Sequence, residues 1–186
     1  MKICIVSDSH DNRFLLAAAV KDGKEKGAEA VLHCGDVVAP TTLRILNPIG
    51  LPIHVIHGNN TGDLYSMARL AHDTTNLIHY HGQDAGIDLH NRRIFMVHFP
   101  HYARAMGTTG DWDIVCCGHD HQAQLSHIDN IKGSKTLFIN PGTVGGVGAE
   151  PSYVMGDLET MEFQIVPVPI PDDLAYNRKP VTPHHL

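Results

Sequence analysis

At 186 residues, with 42% hydrophobic and 18% charged residues, the chain has the makeup of one globular domain rather than a disordered or fibrous protein. A formal net charge of −6, with histidines neutral, sets the surface against nucleic-acid polymers and anionic membranes. No run approaches the ~20 apolar residues of a membrane span, and the apolar start at residues 3–6 is too short for a signal peptide, so a cytoplasmic protein is expected.

The first apolar run, residues 3–6, is rich in Ile and Val and breaks into Ser7-Asp8-Ser9-His10, which predicts a strand followed by a polar loop. Residues 12–26 read as a helix. Asn12 is the candidate N-cap, Phe14, Leu15, Ala18 and Ala19 form an apolar face, and Gly27 is the stop. A second strand at 30–32 leads to His33-Cys34-Gly35-Asp36, and a short helix at 41–46 follows Pro40. A third strand at 53–56 leads to His57-Gly58-Asn59-Asn60, with a helix over 64–70. Strand, helix, strand, helix, strand is the pattern of a parallel α/β sheet.

The second half changes character. Residues 86–90 and 94–97 predict a hairpin that ends at His98, and 114–117 a strand ending at Gly118-His119-Asp120-His121. A strand at 136–139 runs into Asn140-Pro141-Gly142, and 152–158 with 163–168 predict a second hairpin. Residues 1–168 read as one domain and 169–186 as a Pro-rich tail. The four cysteines, at 4, 34, 116 and 117, lie in or beside strands as buried thiols, with the adjacent pair on opposite faces. No Cys-x-x-Cys spacing points to zinc.

Ligands of open α/β sheets bind outside the carboxyl ends of the strands. Five predicted strand ends carry donors there: Asp8 with His10, Asp36, Asn59, His98, and His119 with His121. Taken alone, each is an ordinary loop or turn feature; in order, each just past an apolar run, they form a ligand set. Seven donors exceed what one catalytic metal with open positions takes, and they suit two metals sharing a carboxylate. Mixed oxygen and nitrogen donors without thiolate favour Mn, Fe, Zn, Co or Ni, with Mn first. A metal pair ~3.5–4 Å apart clamps a phosphoryl group and supplies the positive charge this acidic chain lacks.

Asp-x-His, Gly-Asp, Gly-Asn, a lone His and Gly-His-x-His, in that order, resemble the motif set of calcineurin-like metallophosphoesterases. Asn140-Pro141-Gly142-Thr143-Val144 with Pro151-Ser152-Tyr153 is similar to the small prokaryotic phosphodiesterase branch. The resemblance runs over about residues 1–158. It implies an α/β fold of four αββα layers, two mixed β-sheets face to face, with the metal site at the strand ends. It also implies that Asp8, His10 and His121 bind one metal, that Asn59, His98 and His119 bind the other, and that Asp36 bridges them. A metal-bridging hydroxide would attack phosphorus in line, with Asn59 helping to neutralise the developing charge. The substrate implied is a small phosphodiester or nucleotide-like ester. Self-association into a homo-oligomer is also expected from the resemblance.

The chain departs from the pattern in two places. Asn60-Thr61-Gly62-Asp63 stands where many relatives place a leaving-group His and then an acid; the small phosphodiesterase branch also lacks this His. That leaves His101 as a candidate general acid. Phe99-Pro100 stands where relatives often have Gly, which predicts a bulkier pocket wall. The glycines at 142, 145, 146 and 148 read as a turn shaping the pocket rim. His33, His54, His57, His72, His79, His81, His90 and His127 read as surface residues or as partners of the ligands. Two alternatives stand beside the phosphodiesterase: a phosphomonoesterase, and a protein-binding adapter of the same fold similar to a retromer subunit.

Overall fold

Alternation along β1 (Lys2–Val6) shows how the sequence pattern becomes layers. Ile3 and Ile5 join one apolar cluster while Cys4 and Val6 join another. The structure, a computed structural model, describes residues 1–170 apart from 74 and 76. Most of the predicted Pro-rich tail, from residue 171, lies outside the described residues.

The chain runs from β1 through α1 (Arg13–Glu25) to β2 (Ala28–His33). Asn12 caps α1, its side-chain oxygen accepting from the Leu15 amide, and Leu15, Leu16, Ala19 and Val20 are buried beneath the helix. Next come α2 (Thr41–Arg44), a 3-10 turn at Asn47–Ile49, β3 (Ile53–Val55), α3 (Leu64–His72) and β4 (Ile78–Tyr80). The second helix ends two residues before the sequence predicts, because Asn47-Pro48 tightens the chain into that turn. The second half holds β5 (Asp84–Leu89), β6 (Arg92–Val97), α4 (Pro100–Thr108), β7 (Ile114–Cys116) and β8 (Gln124–Asp129). It closes with β9 (Lys135–Asn140), β10 (Ser152–Asp157) and β11 (Glu162–Pro167).

One sheet has the order β11-β10-β1-β2-β3-β4, and the other β5-β6-β7-β9-β8. The strands β1 to β4 are mutually parallel and β10 runs against β1; β6, β7 and β9 are parallel, with antiparallel β5 and β8 at the edges. Both sheets are therefore mixed. Three apolar clusters separate four layers. The cluster of Leu16, Val20, Leu43 and Met67 joins helices to the first sheet. Ile3, Ile5, Leu32, Ile94, Ile114 and Ile139 pack the sheets face to face. Ala103 of α4 covers Val97, Val115, Cys117 and Phe138 on the outer face of the second sheet. This is the expected αββα sandwich, and Cys116 and Cys117 fall on opposite faces, one between the sheets and one under α4.

The unanticipated elements are α4, β4 and β8. Pro100 opens α4 at a first-turn position, and Ala103 and Gly107 face inward. Among the described residues no helix is long and apolar enough to cross a membrane.

Candidate metal centre

The parallel strands of both sheets end at the same edge of the sandwich, and their trailing loops are sewn together there. The Asp8 amide donates to the Gly35 carbonyl at 3.0 Å and the His10 amide to the Asp36 carbonyl at 3.0 Å, joining the ends of β1 and β2. The Gly118 amide donates to the His98 carbonyl at 2.9 Å, joining β6 to β7. Across the sandwich, the His119 amide donates to Asp8 Oδ2 at 3.0 Å. Thus Asp8, His10, Asp36 and Asn59 arrive from the first sheet and His98, His119 and His121 from the second.

All seven predicted donors meet in one cluster. Asp8 Oδ1 lies 3.3 Å from His121 Nε2, 3.8 Å from His10 Nε2 and 3.9 Å from His98 Nε2. Asp36 points one oxygen each way, Oδ2 at 3.8 Å from His10 Nε2 and Oδ1 at 3.4 Å from His98 Nε2. Asn59 Oδ1 lies 3.0 Å from His98 Nε2 and 2.9 Å from His119 Nδ1.

Two imidazoles have their tautomers set by carbonyls, which only accept. His98 Nδ1 donates to the Cys34 carbonyl at 2.8 Å, and His121 Nδ1 donates to the Val147 carbonyl at 2.7 Å. In the neutral rings each Nε2 therefore carries a lone pair facing the carboxylates, the usual arrangement of a ligating histidine. His10 Nε2 sits 3.1 Å from His121 Nε2. Asp8 Oδ1 is fully buried and accepts no hydrogen bond. A buried, unpartnered carboxylate oxygen is costly. Ringed by inward lone pairs, it fits a cation, and the donor sets Asp8, His10, His121 and Asp8, Asp36, His98 each converge within 4.8 Å.

Electrostatics divides the two carboxylates. Burial raises the Asp8 carboxyl above its usual range, against the hydrogen bonds and imidazoles that lower it. Burial also opposes ionisation of Asp36, but the His98 imidazole beside it and the hydrogen bonds from Asn60 win and hold it well below the usual carboxylate range. Burial works against a charged His98 as well, yet Asp36 and Asp8 raise its pKa.

Asn60, which sequence reasoning did not place at the site, holds Asp36 from both atoms it can use. Its amide donates to Oδ1 at 2.9 Å and its Nδ2 to Oδ2 at 2.6 Å. Buried His33 bonds Ser9 Oγ at 3.1 Å behind the first loop. The glycine-containing loop after β9 braces that same loop: Thr143 Oγ1 donates to the Asp8 carbonyl at 2.9 Å and the Gly145 amide to the same oxygen at 3.1 Å. His101 stands apart from the cluster, in the first turn of α4, exposed, with its ring 5.8 Å from Phe99 and 4.3 Å from Tyr102.

The model of the calcineurin-like phosphoesterase superfamily domain matches residues 1–161. The chain is 26% identical over 169 residues to Phosphodiesterase MJ0936 of Methanocaldococcus jannaschii, covering 88% of this chain and 97% of that protein. A solved archaeal phosphodiesterase shares the fold with a TM-score of 0.80 at 24% identity, over 90% of this chain and 99% of its own. Vps29 of Chaetomium thermophilum shares it with a TM-score of 0.59 at 15% identity, over 89% of this chain and 95% of its own. With the family model spanning all but the last part of the described residues and the donors standing where the strands end, the chain belongs to the calcineurin-like phosphoesterase superfamily.

Proposed function

We propose that the protein is a metal-dependent phosphodiesterase acting on small phosphodiesters. The observation that carries this reading is the convergence of His10, Asp36, His98 and His121 around the buried, unpartnered Oδ1 of Asp8, with Asn59 and His119 adjoining through His98. Asp8, His10 and His121 would hold one divalent ion and Asn59, His98 and His119 a second. Asp36, which turns one oxygen towards His10 and the other towards His98, would serve both. Manganese is the first candidate, with Fe, Zn, Ni and Co also suited to the donors. When bound, the metals would supply positive charge for a phosphoryl group and activate water near neutral pH.

The chain's own residues set the rest. Asn59 turns its Oδ1 towards His98 and His119, which leaves its Nδ2 to donate to a phosphoryl oxygen. Asn60 keeps Asp36 ionised and fixed in direction. The position after Gly58-Asn59 thus clamps a carboxylate instead of offering a proton to the leaving group, which supports esters whose leaving group needs little protonation. His101 would serve poorer leaving groups from beyond Phe99. The likeness to Vps29 concerns fold alone; the complete donor set is what favours an enzyme over an adapter of the same fold. The site so proposed belongs to a single domain at 1–168, with 169–186 read as a Pro-rich tail.

The test is hydrolysis of bis(4-nitrophenyl) phosphate and 4-nitrophenyl phosphate by metal-stripped protein, with and without added manganese. Activity should return with the metal and favour the diester. A preference for the monoester would make the protein a phosphatase, and no turnover with any divalent metal would leave the adapter. In the same assay with weaker leaving groups, His101→Ala should slow poor leaving groups more than good ones; an equal effect would remove His101 as the acid.

A further inference from the structure

The N-cap of α4 is occupied by Phe99, whose side chain makes no capping hydrogen bond. Ser, Thr, Asp or Asn there would contribute about 1 kcal/mol to the helix. A local rule set aside next to a functional cluster marks a residue placed for another purpose. The Phe99 ring stands edge-on to two of the proposed ligands, 4.7 Å from His119 and 5.4 Å from His98 between ring centroids. On its far side it meets Tyr102 at 5.9 Å and His101 at 5.8 Å, and those two rings lie 4.3 Å apart.

The result is a continuous aromatic strip from His119 through Phe99 to Tyr102. Its ends are open to solvent: His119 is exposed and Tyr102 keeps half its surface in water. A solvent-exposed tyrosine on the first turn of a helix contributes little to the core beneath that helix, which is made by Ala103 and Gly107. The Phe99 ring is tilted 77° to Tyr102 and 65° to His119, so a flat, weakly charged group beside the phosphoryl site would lie on the exposed face of Tyr102 with its edge towards Phe99. Base–aromatic stacking tolerates any base because every base has a π-face.

We propose that Phe99 and Tyr102 form a stacking platform for the nucleobase of a nucleotide ester, so that the protein prefers esters carrying a base over the same sugar phosphates without one. This deepens the proposed function and rests on its placing of the phosphoryl group among the seven donors. Phe99 holds the inner end of the platform against His119, and Tyr102 supplies the outer, accessible face.

Binding isolates the platform from catalysis. Adenosine 5′-monophosphate and ribose 5-phosphate differ in the base, and their dissociation constants are measured by calorimetry on manganese-loaded, full-length protein. The wild type should bind the nucleotide about 10- to 100-fold more tightly. Tyr102→Ala should reduce that ratio by about 10-fold or more, Tyr102→Phe should keep it, and Phe99→Leu should lower it without unfolding the protein. Equal binding of both ligands by the wild type overturns the platform, as does a ratio unmoved in both Tyr102→Ala and Phe99→Leu. Failure of both ligands to bind while the diester is still hydrolysed also overturns it and leaves the proposed function standing. Base-dependent binding, lost in Tyr102→Ala, by a protein that hydrolyses no ester keeps the platform and removes the hydrolase reading.

Discussion

Asp8, His10, Asp36, His119 and His121 all have positive φ, between 43° and 77°. Non-glycine residues enter the left-handed region at a cost, and such strain gathers where a site over-determines the backbone. Here it turns each strand end sharply enough to aim its donor at a common point. Glycines beside the donors solve the complementary problem of room. Gly58 needs no unusual φ, but a Cβ there would sit 2.1 Å from Asp36 Oδ1 and 2.8 Å from His98 Cδ2. Gly58→Ala should therefore displace Asp36 and weaken metal binding by about 10- to 100-fold, the range seen when the partners of metal ligands are disturbed. Metal titration of the stripped protein checks this, with circular dichroism to verify the fold; unaltered affinity would show that Asp36 can move without consequence. The donors were readable in the sequence because each follows an apolar run. The role of Asn60 was not, because it depends on a carboxylate 24 positions earlier in the chain.

At the scale of elements, α1 and the loop after β9 share one residue. Asn12 accepts from the Leu15 amide as the helix cap, while its Nδ2 donates to the Gly145 carbonyl at 3.0 Å. That loop continues to Val147, whose carbonyl fixes the His121 ring. Asn12→Ala removes both bonds and should cost about 1–2 kcal/mol in denaturant unfolding, combining a lost cap with a lost hydrogen bond. It should also lower metal affinity through the slackened loop. A stability loss with unchanged affinity would confine Asn12 to capping. The helix was legible because Asn12, the apolar face and Gly27 agree. Three other elements were not. In α4, Pro100-His101-Tyr102 resembles a loop, and the helix shows only through Pro100 at the first turn with inward Ala103 and Gly107. Strand β4 is three residues long with His79 at its centre, and β8 is an edge strand whose residues are all at least partly exposed. Both take their form from a neighbouring strand rather than from their own pattern.

The whole molecule's response to acid follows from histidines that the fold buries uncharged. Burial lowers His54 to about 4, with His81 and His79 adding to it, and lowers His33 to about 3. Burial likewise lowers His57 and His81. His54 Nδ1 lies 3.0 Å from His81 Nε2, with the rings within 6° of parallel. One nitrogen can donate to the other while a proton is missing, but two protonated rings would set N–H against N–H. An unfolded chain titrates these groups near 6.5, so between that value and about 4 it binds more protons than the folded one. Stability is thus fully present above pH 6.5 and is lost as pH falls through the folded value. His98 and the Asp8 carboxyl are raised instead and work in the opposite sense, but they are two groups against four. Thermal unfolding of metal-stripped protein from pH 8 to 4 should show the melting temperature falling steadily below about pH 6.5. His54→Gln, which removes one titrating ring, should flatten that fall. A melting temperature independent of pH across this range, or one rising towards acid, would mean that these histidines are charged or solvated in the folded protein.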